Sequence, residues 1–138
     1  MRKFKFRAWY KAEQKFLYGF ENIYDHDFVI NFNGEVGTCD EDGFFMSFKD
    51  IELMEFTGLI DRNQKYIYEG DILKREIYKG HPEYYLVVFD KGGFKRKALD
   101  KKIFEANGLL DFVEQHCNKF YEVVGNIFQN SEFLEKLK

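Results

Sequence analysis

The stretch Thr57-Gly58-Leu59-Ile60-Asp61-Arg62-Asn63-Gln64-Lys65-Tyr66-Ile67-Tyr68-Glu69-Gly70-Asp71-Ile72-Leu73 constrains the fold more than any other part of the chain. It reads as two short apolar strands around a polar turn, Asp61–Lys65, followed by a Glu69-Gly70-Asp71 corner that launches a third strand. Gly70 stands where the backbone must bend sharply, and Asp71 is placed to hold a neighbouring backbone amide. Paired carboxylates do acid–base work when their environments push their pKa values apart. Here Asp61 opens a turn, while Glu69 and Asp71 flank a glycine corner. All three therefore read as structural, because aspartate commonly bonds its own nearby backbone in turns.

The rest of the chain repeats this alternation of apolar runs and turn residues. Phe4, Phe6 and Ala8 alternate with Lys3, Lys5, Arg7 and Trp9, a period of two that marks a strand with one buried face. A turn over 11–15 and a second strand over 16–20 complete an opening hairpin. Phe28–Phe32 and Glu35–Cys39 flank Asn33-Gly34, a pair that closes hairpins because both central residues take positive φ. Residues 72–78 form a strand and 79–82 a loop holding the single proline. Tyr84–Phe89 is a continuous apolar run suited to a central strand, and Asp90–Gly93 turns the chain into Phe94–Ala98. Leu109, Leu110, Val113, His116 and Cys117 fall on one helical stripe, so the spacing predicts a short helix over 109–118. A final strand over 120–128 is interrupted at Gly125-Asn126, the mark of a bulge or a close backbone approach. Asn130 or Ser131 caps a short C-terminal helix.

Composition supports a mainly β reading. Seventeen Phe, nine Tyr and one Trp supply 20% of the 138 residues, and Phe and Tyr favour pleated, half-buried surfaces. The length suits one domain with two lobes, an N-terminal hairpin lobe over about 1–56 and a barrel lobe over about 57–138. Two cysteines, Cys39 and Cys117, are too few for a disulfide framework and have no CxxC spacing. There is no apolar run long enough to span a membrane and no apolar core of an export signal, so the expected setting is the cytoplasm.

The net charge of −3 conceals two opposed segments. Residues 1–16 carry a net +5 and residues 17–57 a net −9. The simple reading sets the basic first strand near the acidic section, within one chain or across an interface. Together with the aromatic surplus, this favours a homo-oligomer, since large aromatic side chains dominate interfaces. A second basic run over 91–102 includes Lys95, Arg96, Lys97, Lys101 and Lys102 and nets +5. Such a run beside aromatics is a footprint of nucleic-acid contact. The favoured reading is an edge strand kept soluble by lysines.

Other constellations fail on their chemistry. Asp40-Glu41-Asp42-Gly43 opens like a calcium loop, but the fifth position is Phe44 and the twelfth Ile51, where oxygen ligands are required. His26, His81 and His116 are scattered without the close-spaced pairs of a zinc site. A Cys–His nucleophile pair would lack an orienting third group. No cofactor, metal or catalytic residue is expected.

Four strings in register resemble the YopX family of phage and prophage proteins from Gram-positive bacteria. They are Lys5-Phe6-Arg7-Ala8-Trp9, Leu53-Met54-Glu55-Phe56-Thr57-Gly58-Leu59, Ile67-Tyr68-Glu69-Gly70-Asp71-Ile72-Leu73 and Val123-Val124-Gly125-Asn126-Ile127-Phe128. Gly58, Asp61, Glu69, Gly70, Asp71, Gly125 and Asn126 are the structural signature. Three positions depart from the family pattern: Tyr10 where Asp follows the Trp, Gln64 where Gly completes an Asn-Gly turn, and Ser131 where Pro starts the last helix. The Gln64 departure favours a longer turn over a tight two-residue one. The resemblance implies a β-rich protein whose later part is an SH3-like barrel, made in a bacterial host's cytoplasm from phage or prophage genes. It implies no activity, because the family is biochemically uncharacterised. Small barrels host many unrelated functions, so the fold does not supply one. The expectation is a non-enzymatic binding or assembly module. The alternative is a nucleic-acid-associated protein using residues 91–102.

Overall fold

The structure, a computed structural model, describes residues 5–19, 28–107, 109–111 and 119–135. The chain divides into two compact units, Met1–Phe56 and Thr57–Lys138. The first contains β1 (Phe6–Tyr10), β2 (Lys15–Tyr18), β3 (Val29–Ile30), β4 (Val36–Cys39), β5 (Phe45–Ser47) and the start of β6 (Ile51–Ile60), which carries the chain into the second. The second continues with β7 (Tyr66–Tyr68), β8 (Asp71–Tyr78), β9 (His81–Asp90), β10 (Gly93–Ala98), α1 (Lys101–Asn107), β11 (Leu109–Asp111), β12 (Tyr121–Asn126) and α2 (Glu132–Glu135). The protein is mainly β.

In the first unit β1 lies between β2 and β6, with Ala8 opposite both Leu17 and Leu53. The sequence period implies one buried face for β1, but the structure buries both. Ala8 is buried with Leu17, Phe28 and Val36, and Phe6, Tyr10, Phe48, Ile51 and Leu53 pack around them. On the other face Trp9 is buried and meets Phe16 edge-on at 4.9 Å, and the Arg7 guanidinium lies 4.4 Å from the centre of the Phe16 ring. A strand with neighbours on both sides can have each face covered by a neighbour's large side chains, and here Phe16 does this. The opposed charges meet in this unit, where Lys11 Nζ lies 3.1 Å from Glu52 Oε1.

Strands β3, β4 and β5 form a separate small antiparallel sheet in that order. The β3–β4 hairpin is present, but its turn is centred one residue earlier than Asn33-Gly34. Gly34 N–H donates to the Asn31 carbonyl and Asn31 N–H to the Glu35 carbonyl, both at 3.0 Å, and of the Asn-Gly pair only Gly34 takes positive φ (80°). Asn31 Oδ1 accepts the amides of Asn33 and Glu35 at 3.0 and 2.9 Å. A side-chain acceptor at the first turn position thus competes successfully with the two-residue alternative.

The same five-residue device occurs twice more. Asp40 Oδ1 accepts the amides of Asp42 and Phe44 at 2.9 and 2.8 Å, with Gly43 at φ 84°. Asp61 Oδ1 accepts those of Asn63 and Lys65 at 2.8 and 2.9 Å, with Gln64 at φ 64°. The fourth position is glycine in the first two turns and glutamine in the third. Left-handed backbone costs an ordinary L-residue about 1–2 kcal/mol, while a glycine gives back about 0.5–1 kcal/mol of chain entropy. Gln64→Gly is therefore expected to stabilise the protein by about 0.5–1 kcal/mol, read as a higher urea midpoint at unchanged slope. An unchanged or lower midpoint would contradict this account of the turn.

In the second unit five strands form an antiparallel sheet in the order β11-β10-β9-β8-β12, curled into a half-barrel. Ile67, Leu73, Tyr85, Val87, Ala98 and Tyr121 are buried inside it, with Leu59, Ile103, Phe104 and Val123 packed against them. The β9–β10 hairpin is closed by Lys91 and Gly92 at φ 47° and 81° between the paired Asp90 and Gly93, a two-residue turn matched to strand twist. His81 and Pro82 belong to β9 rather than to a loop. Pro82 faces Glu76 beside a register shift near the strand end, where a missing N–H is tolerated.

Strand pairing overturns two further expectations. Strand β10 is not an edge strand: it pairs with β9 on one side and with β11 on the other. The helix expected over 109–118 does not include its first residues, because Leu109–Asp111 pair with Lys97–Lys95 as β11. The helical spacing of apolar residues does not exclude a strand when an unpaired neighbour is available. Residues 112–118, with His116 and Cys117, lie outside the described residues, as does His26. The chain also forms α1 over 101–107, capped by Asp100, whose Oδ1 accepts the amides of Lys102 and Ile103 at 2.9 and 3.1 Å. Among the described residues no helix is long and apolar enough to cross a membrane.

Candidate interaction surface

The aspartates of the signature stretch, Asp61 and Asp71, are engaged by backbone. Asp61 is 1% exposed, and its second oxygen, Oδ2, accepts the Val123 amide at 2.9 Å across 62 residues of sequence. Arg62 N–H adds a bond of 2.9 Å to the Tyr121 carbonyl, so the turn is fastened along β12. Asp71 is equally buried, and its Oδ2 accepts the Tyr68 amide at 2.8 Å. Between them Gly70 takes φ 87°, donates its N–H to the Val87 carbonyl and accepts the Ile127 amide. The corner thus joins the start of β8 to β9 and to the end of β12. Glu69 is half-buried beside it, and Gly58 takes φ 86° with open space around it.

The last signature pair is also anchored. The β8–β12 register shifts between Val123 and Gly125, and a side chain on Gly125 would overlap the Asn130 carboxamide. That carboxamide accepts the Asn126 amide at 3.2 Å, while Asn126 Oδ1 accepts the amides of Phe128 and Gln129 at 3.0 and 2.9 Å. In a group this occupied by backbone, lone pairs are not presented to a substrate.

The basic run divides between environments. Arg96 points into the half-barrel and donates to the Tyr121 hydroxyl. Since β9 and β8 separate β10 from β12 in the sheet, this bond crosses the concave interior. Arg75 reaches the same hydroxyl at 3.4 Å and binds Glu83 at 3.0 Å. The Arg75 and Arg96 guanidinium carbons lie 5.2–5.7 Å from the centres of the Tyr85 and Tyr121 rings, which meet edge-on at 6.1 Å. Tyr85 donates to Glu83 at 2.5 Å. Burial would raise the Glu83 carboxyl, but the bonds from Tyr85 and Arg75 and the charges of Arg75 and Arg96 outweigh it, holding Glu83 below the ordinary glutamate value. Burial, and then the bond to Glu83, push the Tyr85 hydroxyl above its usual value. A tyrosine shifted in that direction stays protonated, so the cluster works as a clasp between four strands. Lys97 lies on the opposite face of β10, 5.0 Å above the Phe104 ring. Lys95 shares that face at half-burial, and Lys101 and Lys102 are exposed in the first turn of α1.

The feature that sequence reasoning missed is the exposed apolar cluster on the small β3–β4–β5 sheet, of which it expected only the β3–β4 hairpin. The sheet's two turns expose Phe32 completely and Phe44 to 70%, and Met46 on β5 is 60% exposed, with Ile30 partly so. Register places Ile30 and Met46 on the same face as Val36. The two turns meet β4 at its opposite ends, at Glu35 and Asp40, about 17 Å apart at ~3.3 Å per residue. Residues 28–48 carry Glu35, Asp40, Glu41 and Asp42 and no Lys, Arg or His. The available signal was an aromatic in each turn, Phe32 and Phe44, where polar residues are usual.

No match is found among curated proteins. The crystal structure of protein EF1440 from Enterococcus faecalis superposes with a TM-score of 0.57 at 24% identity, covering 97% of this chain and 99% of that one, a likeness of fold. The family model described as YopX protein matches residues 5–135, and the chain belongs to the YopX family.

Proposed function

We propose that the protein is a non-enzymatic binding or assembly module built on an SH3-like barrel. It would act in a phage- or prophage-related setting, in the cytoplasm of its bacterial host. The observation that carries this reading is the acidic three-stranded sheet with Phe32, Phe44 and Met46 in solvent. Large apolar side chains collected on a small acidic surface are the usual mark of a contact with another macromolecule. The signature aspartates fit the same view, because the carboxylates of Asp61 and Asp71 are taken up by backbone amides. The alternative, nucleic-acid contact through residues 91–102, has less support. Arg96 is held by Tyr121, and Lys97 lies over an aromatic ring.

The test is a comparison of wild type with Phe32→Ser/Phe44→Ser/Met46→Ser, by light scattering of the purified chains and by nuclease-treated capture from host cells. All three side chains are solvent-exposed, so the variant is expected to keep its thermal transition. Loss of the wild-type association in the variant is the expected result. Retention of every association by the variant, or capture that disappears with nuclease alone, would overturn the reading.

A further inference from the structure

We infer that the acidic sheet of one copy docks on the basic 91–102 surface of a second copy. This rests on the binding-module reading and names its partner. The argument is complementarity in both charge and apolar character. Residues 28–48 have a net charge of −4 and present Phe32, Phe44 and Met46. Residues 91–102 have a net charge of +5, or +4 without Arg96, which is turned into the half-barrel, and adjoin the β9–β10 hairpin, where half-exposed Phe89 meets Phe94 edge-on at 5.2 Å. Lys91 is exposed in that hairpin's turn, and Lys101 and Lys102 are exposed at the start of α1. The ends of β10 lie about 17 Å apart at ~3.3 Å per residue, close to the spacing of the two aromatic turns across β4. Each surface offers aromatics flanked by one sign of charge, and the other offers the opposite sign. Such pairing favours encounter and register and suppresses like-charged alternatives.

Charge reversal provides the test, using exposed positions outside the turn-forming hydrogen bonds of side chains. Glu41→Lys/Asp42→Lys leaves Asp40 to hold the β4–β5 turn. Lys101→Glu/Lys102→Glu puts carboxylates at a helix start, where they are favourable. Each variant alone is expected to self-associate about tenfold more weakly than wild type, and an equimolar mixture to recover wild-type affinity within about threefold. Analytical ultracentrifugation of the purified full chains reads both. Unchanged association of either variant, failure of the mixture to recover, or a wild type that stays monomeric at all concentrations would overturn this partner. The binding-module reading fails separately, through the Phe32, Phe44 and Met46 variant, if that variant still captures every host protein that wild type does.

Discussion

Asp61→Asn is expected to lower stability by about 2–3 kcal/mol, whereas Asp40→Asn changes it by less than about 0.5 kcal/mol. The two aspartates open turns of the same design, and Asn31 shows that a carboxamide oxygen performs the local task as well as a carboxylate. Only Asp61 uses its second oxygen, accepting the Val123 amide inside the second unit. In Asp61→Asn an NH2 group replaces that acceptor and faces an N–H. The result is a buried donor without a partner, beside the lost charge-assisted bond. With a urea slope of about 1–3 kcal/mol/M, the midpoint should fall by about 1–2 M. Equal effects from the two substitutions would show that the Val123 bond contributes nothing and that Asp61 acts only within its turn.

Gly70→Val is the second large effect, an expected loss of about 2–4 kcal/mol. At φ 87° a β-branched residue is strained whatever space surrounds it. The usual relief, a local change of backbone, is blocked because the N–H and C=O of Gly70 bond Val87 and Ile127 on two different segments. Gly58→Val serves as the comparison. Its φ is nearly the same, 86°, with nothing near its Cβ position, and the residue is exposed. It should cost less, about 1–2 kcal/mol, because the added side chain meets nothing and points into solvent. Thermal melts of the two variants measure the difference. A Gly70 variant no worse than the Gly58 variant would remove the three-segment junction from the account of stability.

The turns, the corner and the succession of strands were legible in the sequence because their causes act within four or five residues. Asp61–Lys65 and Asp90–Gly93 carry their own turn chemistry, and Gly125-Asn126 marked a bulge that the β8–β12 register contains. Even the displaced β3–β4 turn followed from a local acceptor, Asn31, two residues before the Asn-Gly pair. Tertiary structure decided what depends on the choice of neighbour. Lysines alternating along β10 look the same on an edge strand as on a paired one, and only pairing with β11 distinguishes them. Arg96 lies inward because the sheet curls far enough to bring Tyr121 opposite it, and Arg7 is buried because Phe16 covers it. The exposure of Phe32 and Phe44 likewise depends on which residues pack against their turns. Local hydrogen bonding and backbone geometry are written in adjacent residues, whereas burial depends on segments remote in the chain and emerges only when they meet.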